Sequence, residues 1–371
     1  MRVLIMPSWY SGKNDEVSTV GVFHYEQALE LQKNCDVAVY FPFDKTLKQE
    51  MSVENERGLL TYRSYYEKNH RAGNLRRVFK TFLRINKEFH PDIIHAHVAV
   101  EVGRFAVLLG LVFRKPVMIT EHSTVEYSGT DKGIGRLYGK FIYSVSKCNV
   151  CVSEDLQYKL EKIFPRQRFC TIYNGILKPQ LKSVQCQYRK NKMINIALVA
   201  ILYSYDIKGI QFVIPALSEL IKEGYHIALH IVGGGVCEDY FKDMAEEYSV
   251  SEYCLFYGHC EKQKVYEIIN DMDFLISASL SESFGCTLAE AMMLGKPVLA
   301  TKCGGPESFV NDEVGMLIEK GSTEAIIAGL KEMIEKYSKY DSEKIKQYAY
   351  DRFEMTSICN KYLDLYQKIL K

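Results

Sequence analysis

Short apolar runs alternate with longer amphipathic segments along nearly the whole chain. In the first half, "RVLIM", "DVAVYF", "DIIHAH", "PVMITEH", "CNVCVS" and "CTIYNG" read as strands. In the second half, "INIALVA", "IALHIVGGG", "CLFYGH", "DFLISAS" and "PVLATK" do the same. Between them, segments such as "FVIPALSELIKEG" and "KVYEIIND" repeat their apolar residues at helical spacing. Strand–helix alternation predicts parallel sheets covered by helices on both faces, an α/β fold. The rhythm pauses in the polar stretch 176–193, "ILKPQLKSVQCQYRKNKM", which contains Pro179 and has no periodicity. This predicts two doubly wound domains, over 1–178 and 194–350, with the linker in 179–193. The segment 351–371 holds an amphipathic helix, "MTSICNKYLDLYQKIL", expected to pack back toward the N-terminal domain. No repeat of solenoid length is present.

Composition narrows the class. A chain of 371 residues can build two domains with separate cores, and 47% hydrophobic with 25% charged residues is ordinary for a globular protein. No apolar run reaches the ~18 residues of a membrane span. The start, "MRVLIMPSWY", reads as a first strand and not as a signal peptide. Of eleven cysteines only Cys148 and Cys151 have CxxC spacing, and they lie in an apolar run with no second pair, so no zinc site is expected. The odd count without a secretion signal predicts reduced thiols in a cytoplasm. The net charge of +1 hides an asymmetry: residues 1–180 carry 26 Lys+Arg against 19 Asp+Glu, and residues 181–371 carry 21 against 27. A basic first half and an acidic second half suggest units that face different partners.

In open parallel sheets ligands bind at the carboxyl ends of the strands. The segments just after the strands therefore carry the chemistry. The most informative is "SESFGCTLAEAMMLGKPVLATKCGGPES", residues 281–308. "DFLISAS" is a strand and "CTLAEAMMLGK" a helix closed by Gly295, so Ser281 to Gly285 form the loop between them. The amides of Phe284, Gly285 and Cys286 are then expected at a helix start, a place suited to phosphate, and Gly285 lets a ligand approach the backbone. Glu282 and Glu290 could flank a ligand lying across that start. On these residues alone the plainer reading stays open: Ser281 or Ser283 caps the helix and both glutamates favour its dipole.

The spacing E-x7-E within "SLSESFGCTLAEAMMLGKPVLAT" resembles the signature of retaining glycosyltransferases of the GT-B fold, in particular glycosyltransferase family 4. "SYDIKG", "LHIVGGG" and "LFYGHCEKQKVYEIINDMDFLISAS" resemble further landmarks of that family in order and spacing, as do "DIIHAH", "PVMITEHS" and "TIYNGI" in the first half. The resemblance implies two Rossmann-like domains facing across a cleft, with a nucleoside diphosphate sugar held mainly by the second. It implies that Lys208 neutralises the diphosphate, that the amides around Phe284 and Gly285 hold phosphate oxygens, and that Glu290 accepts hydrogen bonds from the ribose. Glu282 and His122 would contact the transferred sugar, and Gly21 would line the diphosphate. Gly234 belongs to the glycine turn of the donor side, and Gly258 and His259 would flank the base. Retention of configuration is implied, with no cofactor. A metal-independent reaction is implied as well. One departure stands out. The family usually has an arginine a few residues before Lys-Gly, where this chain has Ile201, and no arginine occurs between Arg189 and Arg352.

Other features are weaker. His95 and His97 share one face of a strand, but a metal there needs a third ligand that the sequence does not show. "GGGV" at 233–236 follows a strand and opens a helix, yet lacks the GxGxxG spacing of a dinucleotide loop. Residues 68–87 hold seven Lys+Arg and no acid, with Leu75, Val78, Phe79, Phe82 and Leu83 at helical spacing. This is either an ordinary core helix with a solvated basic face or a surface attracted to anionic lipid. Nucleic acid is not an expected partner. Trp9 and Tyr10 could stack on a sugar, lie near lipid, or simply pack. The combined expectation is a cytoplasmic, peripheral-membrane enzyme moving a sugar from a nucleotide donor, UDP favoured over GDP, to a glycan acceptor that is lipid-linked. The rivals are a non-catalytic subunit that binds a nucleotide sugar or a partner, and a glycoside hydrolase using Glu282 and Glu290.

Overall fold

The computed structural model describes residues 1–13, 21–181, 188–190 and 192–371. Part of the first loop and much of the expected linker lie outside these residues. The chain divides into two compact units, residues 1–177 with 355–371, and residues 178–354.

The first unit runs β1 (Arg2–Met6), α1 (Val22–Gln32), β2 (Asp36–Asp44), β3 (Met51–Glu56), β4 (Leu59–Tyr65), α2 (Arg71–Glu88), β5 (Ile93–His97), α3 (Arg104–Phe113), β6 (Val117–Glu121), α4 (Val125–Ser128), α5 (Gly133–Val145), β7 (Cys148–Cys151), α6 (Glu154–Ile163) and β8 (Cys170–Thr171). Its sheet has the order β3-β4-β2-β1-β5-β6-β7-β8. All neighbours are parallel except β3, which pairs antiparallel with β4. The expectation of purely parallel sheets is corrected here: "MSVENERGLLTYRSY" forms a hairpin at the sheet edge. Arg57 and Gly58 take left-handed φ values of 50° and 94°, and the Asn55 side chain accepts from the Gly58 amide at 2.9 Å. Two left-handed residues in succession suit the twist of a tight hairpin.

The second unit runs β9 (Ile194–Val199), α7 (Ile210–Lys222), β10 (Ile227–Val232), α8 (Glu238–Glu247), β11 (Cys254–Phe256), α9 (Lys262–Asp271), β12 (Phe274–Ser277), α10 (Cys286–Met293), β13 (Val298–Thr301), β14 (Gly315–Ile318), α11 (Thr323–Lys336) and α12 (Ser342–Phe353). Its sheet has the order β11-β10-β9-β12-β13-β14 and is parallel throughout. The order reverses direction at β9, which places the loops after β9 and β12 beside one another at the carboxyl edge. Both units are Rossmann-like α/β folds.

Residues 355–371 rejoin the first unit as α13 (Met355–Leu370). Met355, Ile358, Cys359, Tyr362 and Tyr366 are buried in one cluster with Val3, Ile5 and Ala28. Polar contacts lock the fit: the Thr356 hydroxyl donates to Glu30 at 2.7 Å, and the Tyr366 hydroxyl sits 2.6 Å from His95 Nδ1.

The basic segment forms α2, but its apolar residues do not share one buried face. Val78, Phe82 and Ile85 are buried against the unit, whereas Leu75 and Leu83 are 38% and 58% exposed. The buried stripe follows i, i+4, i+7, the spacing of a helix resting on a sheet.

Candidate functional site

In the second unit the expected residues fall at the carboxyl edge of the sheet. Lys208 ends the loop after β9, just before Gly209 starts α7. Gly209 has φ 72°, and a Cβ there would stand 1.9 Å from the Ala278 carbonyl oxygen, so the loop after β9 lies hard against the end of β12. This closeness lets the Lys208 ammonium reach Glu282 Oε1 at 2.6 Å. Ser279 donates to the same oxygen at 2.9 Å. Both side chains remain partly open to solvent.

The loop holding Glu282 is laced to the Gly-Gly-Pro turn. The Glu282 amide donates to Cys303, and the Gly305 amide donates to Glu282, at 3.1 and 2.8 Å. A Cβ on Gly305 would lie 2.5 Å from the Phe284 backbone, so only glycine fits. Glu307 closes the turn by accepting from the Gly304 amide at 2.6 Å. Phe284 is fully buried and packs on Phe309 and Phe353 with ring centroids 5.2 and 5.5 Å apart. Gly285 is the N-cap of α10 with φ 103°. At the other end, Gly295 is left-handed, and the amides of Gly295 and Lys296 donate back to Met292 and Ala291, a Schellman closure.

Glu290 projects from α10 toward α9. Tyr266 donates to its Oε1 at 3.3 Å, and Lys262 Nζ lies 3.7 Å away. Neither partner was expected from the sequence; both sit four residues apart on α9, a spacing that could have marked them. A separate group joins the loops after β10, β9 and β11. The Gly233 amide donates to Gly258 at 2.9 Å, and the Leu202 amide donates to Gly234 at 3.0 Å. A Cβ on Gly234 would stand 2.9 Å from the His259 amide nitrogen. Gly234, Gly258 and His259 are thus brought together, with the His259 side chain exposed. Ile201, where the family usually has arginine, is 59% exposed.

In the first unit Gly21 is the left-handed N-cap of α1, and a Cβ there would stand 2.3 Å from the Trp9 carbonyl oxygen. His122 follows β6 and is buried. Its Nε2 lies 2.8 Å from His97 Nδ1 at the end of β5. His24 on α1 completes the group: one ring nitrogen from each of His24, His97 and His122 lies within 4.8 Å of the others. These three buried imidazoles are the residues that could hold a metal among those described. His97 is thus grouped with His122 and with His24, of which the sequence shows no sign, and not with His95, which faces Tyr366 and Thr120 at 2.6 and 2.7 Å. Both ring nitrogens of His24 are buried without a hydrogen-bond partner among the described residues. Burial keeps all these rings neutral: His95 is lowered to about 3, His122 to about 3 with Asn174 opposing the shift, and His24 and His97 fall well below the usual range. Glu121 is buried beside them, and desolvation raises its pKa. It accepts from the Ala99 amide, the Ser123 amide and the Tyr143 hydroxyl at 3.0, 3.2 and 2.9 Å.

Two doubly wound units with glycine-lined loops at their carboxyl edges define a Rossmann-like α/β protein of the kind that binds nucleotides. The family model of Glycosyltransferase Family 4 matches residues 20–176, and that of Glycosyl transferases group 1 matches residues 187–352. The chain belongs to the GT-B glycosyltransferases of family 4. It is 25% identical over 292 residues to N-acetyl-alpha-D-glucosaminyl L-malate synthase of Bacillus anthracis, covering 76% of this chain and 75% of that one. It is 26% identical over 243 residues to alpha-monoglucosyldiacylglycerol synthase of Streptococcus pneumoniae, covering 60% and 55%. Anabaena HepE, solved in complex with UDP, has the same fold with a TM-score of 0.78 at 18% identity, over 99% of this chain and 100% of that one.

Proposed function

We propose that this glycosyltransferase moves a sugar, with retention of configuration, from a UDP-sugar to a lipid-linked glycan acceptor, and that it does so without a metal. The Lys208–Glu282 pair carries the reading. A diphosphate is the leaving group, so the main task is to stabilise its developing charge. An arriving diphosphate takes the Lys208 ammonium from Glu282. The freed carboxylate, still oriented by Ser279, then accepts hydrogen bonds from the transferred sugar. The backbone at Phe284 and Gly285 holds phosphate oxygens at the start of α10. Glu290 receives the ribose hydroxyls, held in place by Tyr266. Gly234, Gly258 and His259 frame the base. On the first unit we assign His122 to the transferred sugar and Gly21 to the diphosphate. UDP is favoured because a structural relative was solved with it, and a lipid-linked acceptor because a sequence relative is named for a glucosyldiacylglycerol.

The test is sugar transfer and thermal stabilisation across UDP, GDP and ADP donors, in EDTA and then with Mg²⁺ or Zn²⁺. Stabilisation by the UDP series alone, with turnover in EDTA, supports the assignment. Turnover that EDTA abolishes and Zn²⁺ restores overturns metal independence and assigns His24, His97 and His122 as ligands. The exposed Ile201 in place of arginine favours one second reading, a donor-binding subunit that does not turn over; UDP-sugar binding with no transfer to any acceptor identifies it.

A further inference from the structure

Three elements of the first unit each deliver one buried imidazole to the same place. His24 comes from the first turn of α1, His97 ends β5, and His122 follows β6. They are 1%, 0% and 8% exposed. Their ring centroids lie 4.4 Å apart for His24 and His97, 5.2 Å for His24 and His122, and 5.0 Å for His97 and His122. Gly21 presses the start of α1 onto the Trp9 carbonyl, and β5 and β6 are parallel neighbours, so backbone packing sets where each ring begins. The cluster is nevertheless under-satisfied. His97 Nδ1 and His122 Nε2 share a hydrogen bond. Among the described residues, both ring nitrogens of His24 and the Nε2 of His97 are buried with no partner. Buried polar atoms are almost always paired, and three orphaned ring nitrogens in one cluster call for a partner that is not a side chain. An apolar ring in place of His24 would fill the space without that cost.

The donor set selects the partner. Among the described residues the group consists of imidazoles alone, joined by neither carboxylate nor thiol. Glu121 is next to His122 in the chain, but its oxygens are taken by the Ala99 and Ser123 amides and the Tyr143 hydroxyl. Calcium and magnesium favour oxygen ligands, whereas imidazole suits zinc and its first-row neighbours. One nitrogen from each ring already lies within 4.8 Å of the others. Nitrogens that share one tetrahedral zinc stand about 3.3 Å apart, as zinc–nitrogen bonds of about 2.0–2.1 Å require. Side-chain movements on the order of 1 Å therefore close the site.

We propose that His24, His97 and His122 bind a single divalent ion of the zinc class, and that this ion inhibits sugar transfer by taking His122. The ion replaces the hydrogen bond between His97 and His122. The proton of that bond passes to the far nitrogen of the ring that held it, so both rings serve as neutral ligands. Three protein ligands leave a fourth position open to water. Transfer without a metal and inhibition by one are compatible, because the ion and the sugar compete for the same ring. The inhibition rests on the assignment of His122 to the transferred sugar; the metal site does not.

The experiment is titration of the metal-free full chain with Co²⁺, read by visible absorption, and with Zn²⁺, read by calorimetry. The wild type should bind a single ion and show the visible bands of four-coordinate cobalt, without the strong near-ultraviolet band that cysteine ligands add. His24→Phe and His97→Gln should each weaken binding by roughly tenfold or more. Thermal unfolding in EDTA shows which of the two is folded and can be read. Saturating Zn²⁺ should remove most transfer by the wild type, EDTA should restore it, and His24→Phe should keep its transfer at the same Zn²⁺. No cobalt bands in the wild type, thiolate bands in their place, or bands unchanged in the folded variants overturn the site. Transfer that a zinc-loaded wild type carries out undiminished overturns the inhibition and the placing of His122 at the sugar, while the metal site stands. Transfer that requires Zn²⁺ overturns the inhibition together with the metal-free reading. A chain that transfers no sugar under any condition fails the transferase reading and the inhibition, and its cobalt bands still decide the site.

Discussion

The ammonium of Lys208 and the carboxylate of Glu282 satisfy each other at 2.6 Å, although 74 residues separate them in sequence. If this pair opens when the donor binds, its two members have different kinetic signatures. Lys208→Met should weaken UDP binding by tenfold or more, about 1.4 kcal/mol. Glu282→Gln should leave UDP affinity equal or higher, because the lysine is released, while turnover falls by roughly a hundredfold. Calorimetric UDP titration and steady-state transfer rates separate these outcomes; equal losses of UDP affinity in both variants would contradict the exchange.

Glu290 has two neighbours on α9 and a different expected task. Glu290→Ala should weaken binding of UDP far more than binding of inorganic pyrophosphate, since the lost contacts are to the ribose. Tyr266→Phe should reproduce a small part of that loss, consistent with one neutral hydrogen bond of about 1 kcal/mol. A pyrophosphate loss as large as the UDP loss would place Glu290 elsewhere.

Gly305 touches the backbone of Phe284 with no room for a side chain. Gly305→Ala should therefore push the loop of Glu282 and Gly285 off its place. The stability cost should be about 1–3 kcal/mol, as for overpacking in general, and UDP affinity should fall as well. Urea unfolding and UDP titration of the folded variant check the two effects separately.

The buried rings of His24, His95, His97 and His122 are neutral in the folded first unit because burial lowers their affinity for protons. Once unfolded, each binds a proton below about pH 6.5. The unfolded state therefore takes up more protons as pH falls, and stability drops from pH 6.5 downward toward the folded values near 3. Between pH 6.5 and 5 each ring should contribute a loss of roughly 2 kcal/mol. Thermal unfolding across this range should show a falling Tm, and His24→Phe should flatten the slope by about one proton's share. An unchanged slope would mean that His24 is protonated in the folded chain.

Much of this was legible in the sequence, and what was missed has a common cause. Strand–helix alternation marks both sheets because each strand is buried on two faces and each helix on one. The E-x7-E block marks its loop because a strand, a glycine and a helix follow in close order. The β3–β4 hairpin was missed because Gly58 sits among charged residues that mask the alternation. Of the apolar residues at helical spacing on α2, Leu75 and Leu83 lie exposed, because apolar residues cover more than one side of that helix. His24 carried no signal at all. On α1 the neighbouring Glu26, Gln27 and Glu30 are buried too, and Glu30 is satisfied by Thr356 of α13. Partners more than three hundred residues away do not show in local periodicity.

The last helix has a consequence for how the protein can be made and divided. A chain stopped at residue 354 would contain every element of the second unit and all but one helix of the first. That first unit would nevertheless be left with an open apolar trough where Met355, Ile358, Tyr362 and Tyr366 belong, and with His95 stripped of its tyrosine. The second unit is thus inserted within the first: a ribosome must pass α13 before the half it began with can close.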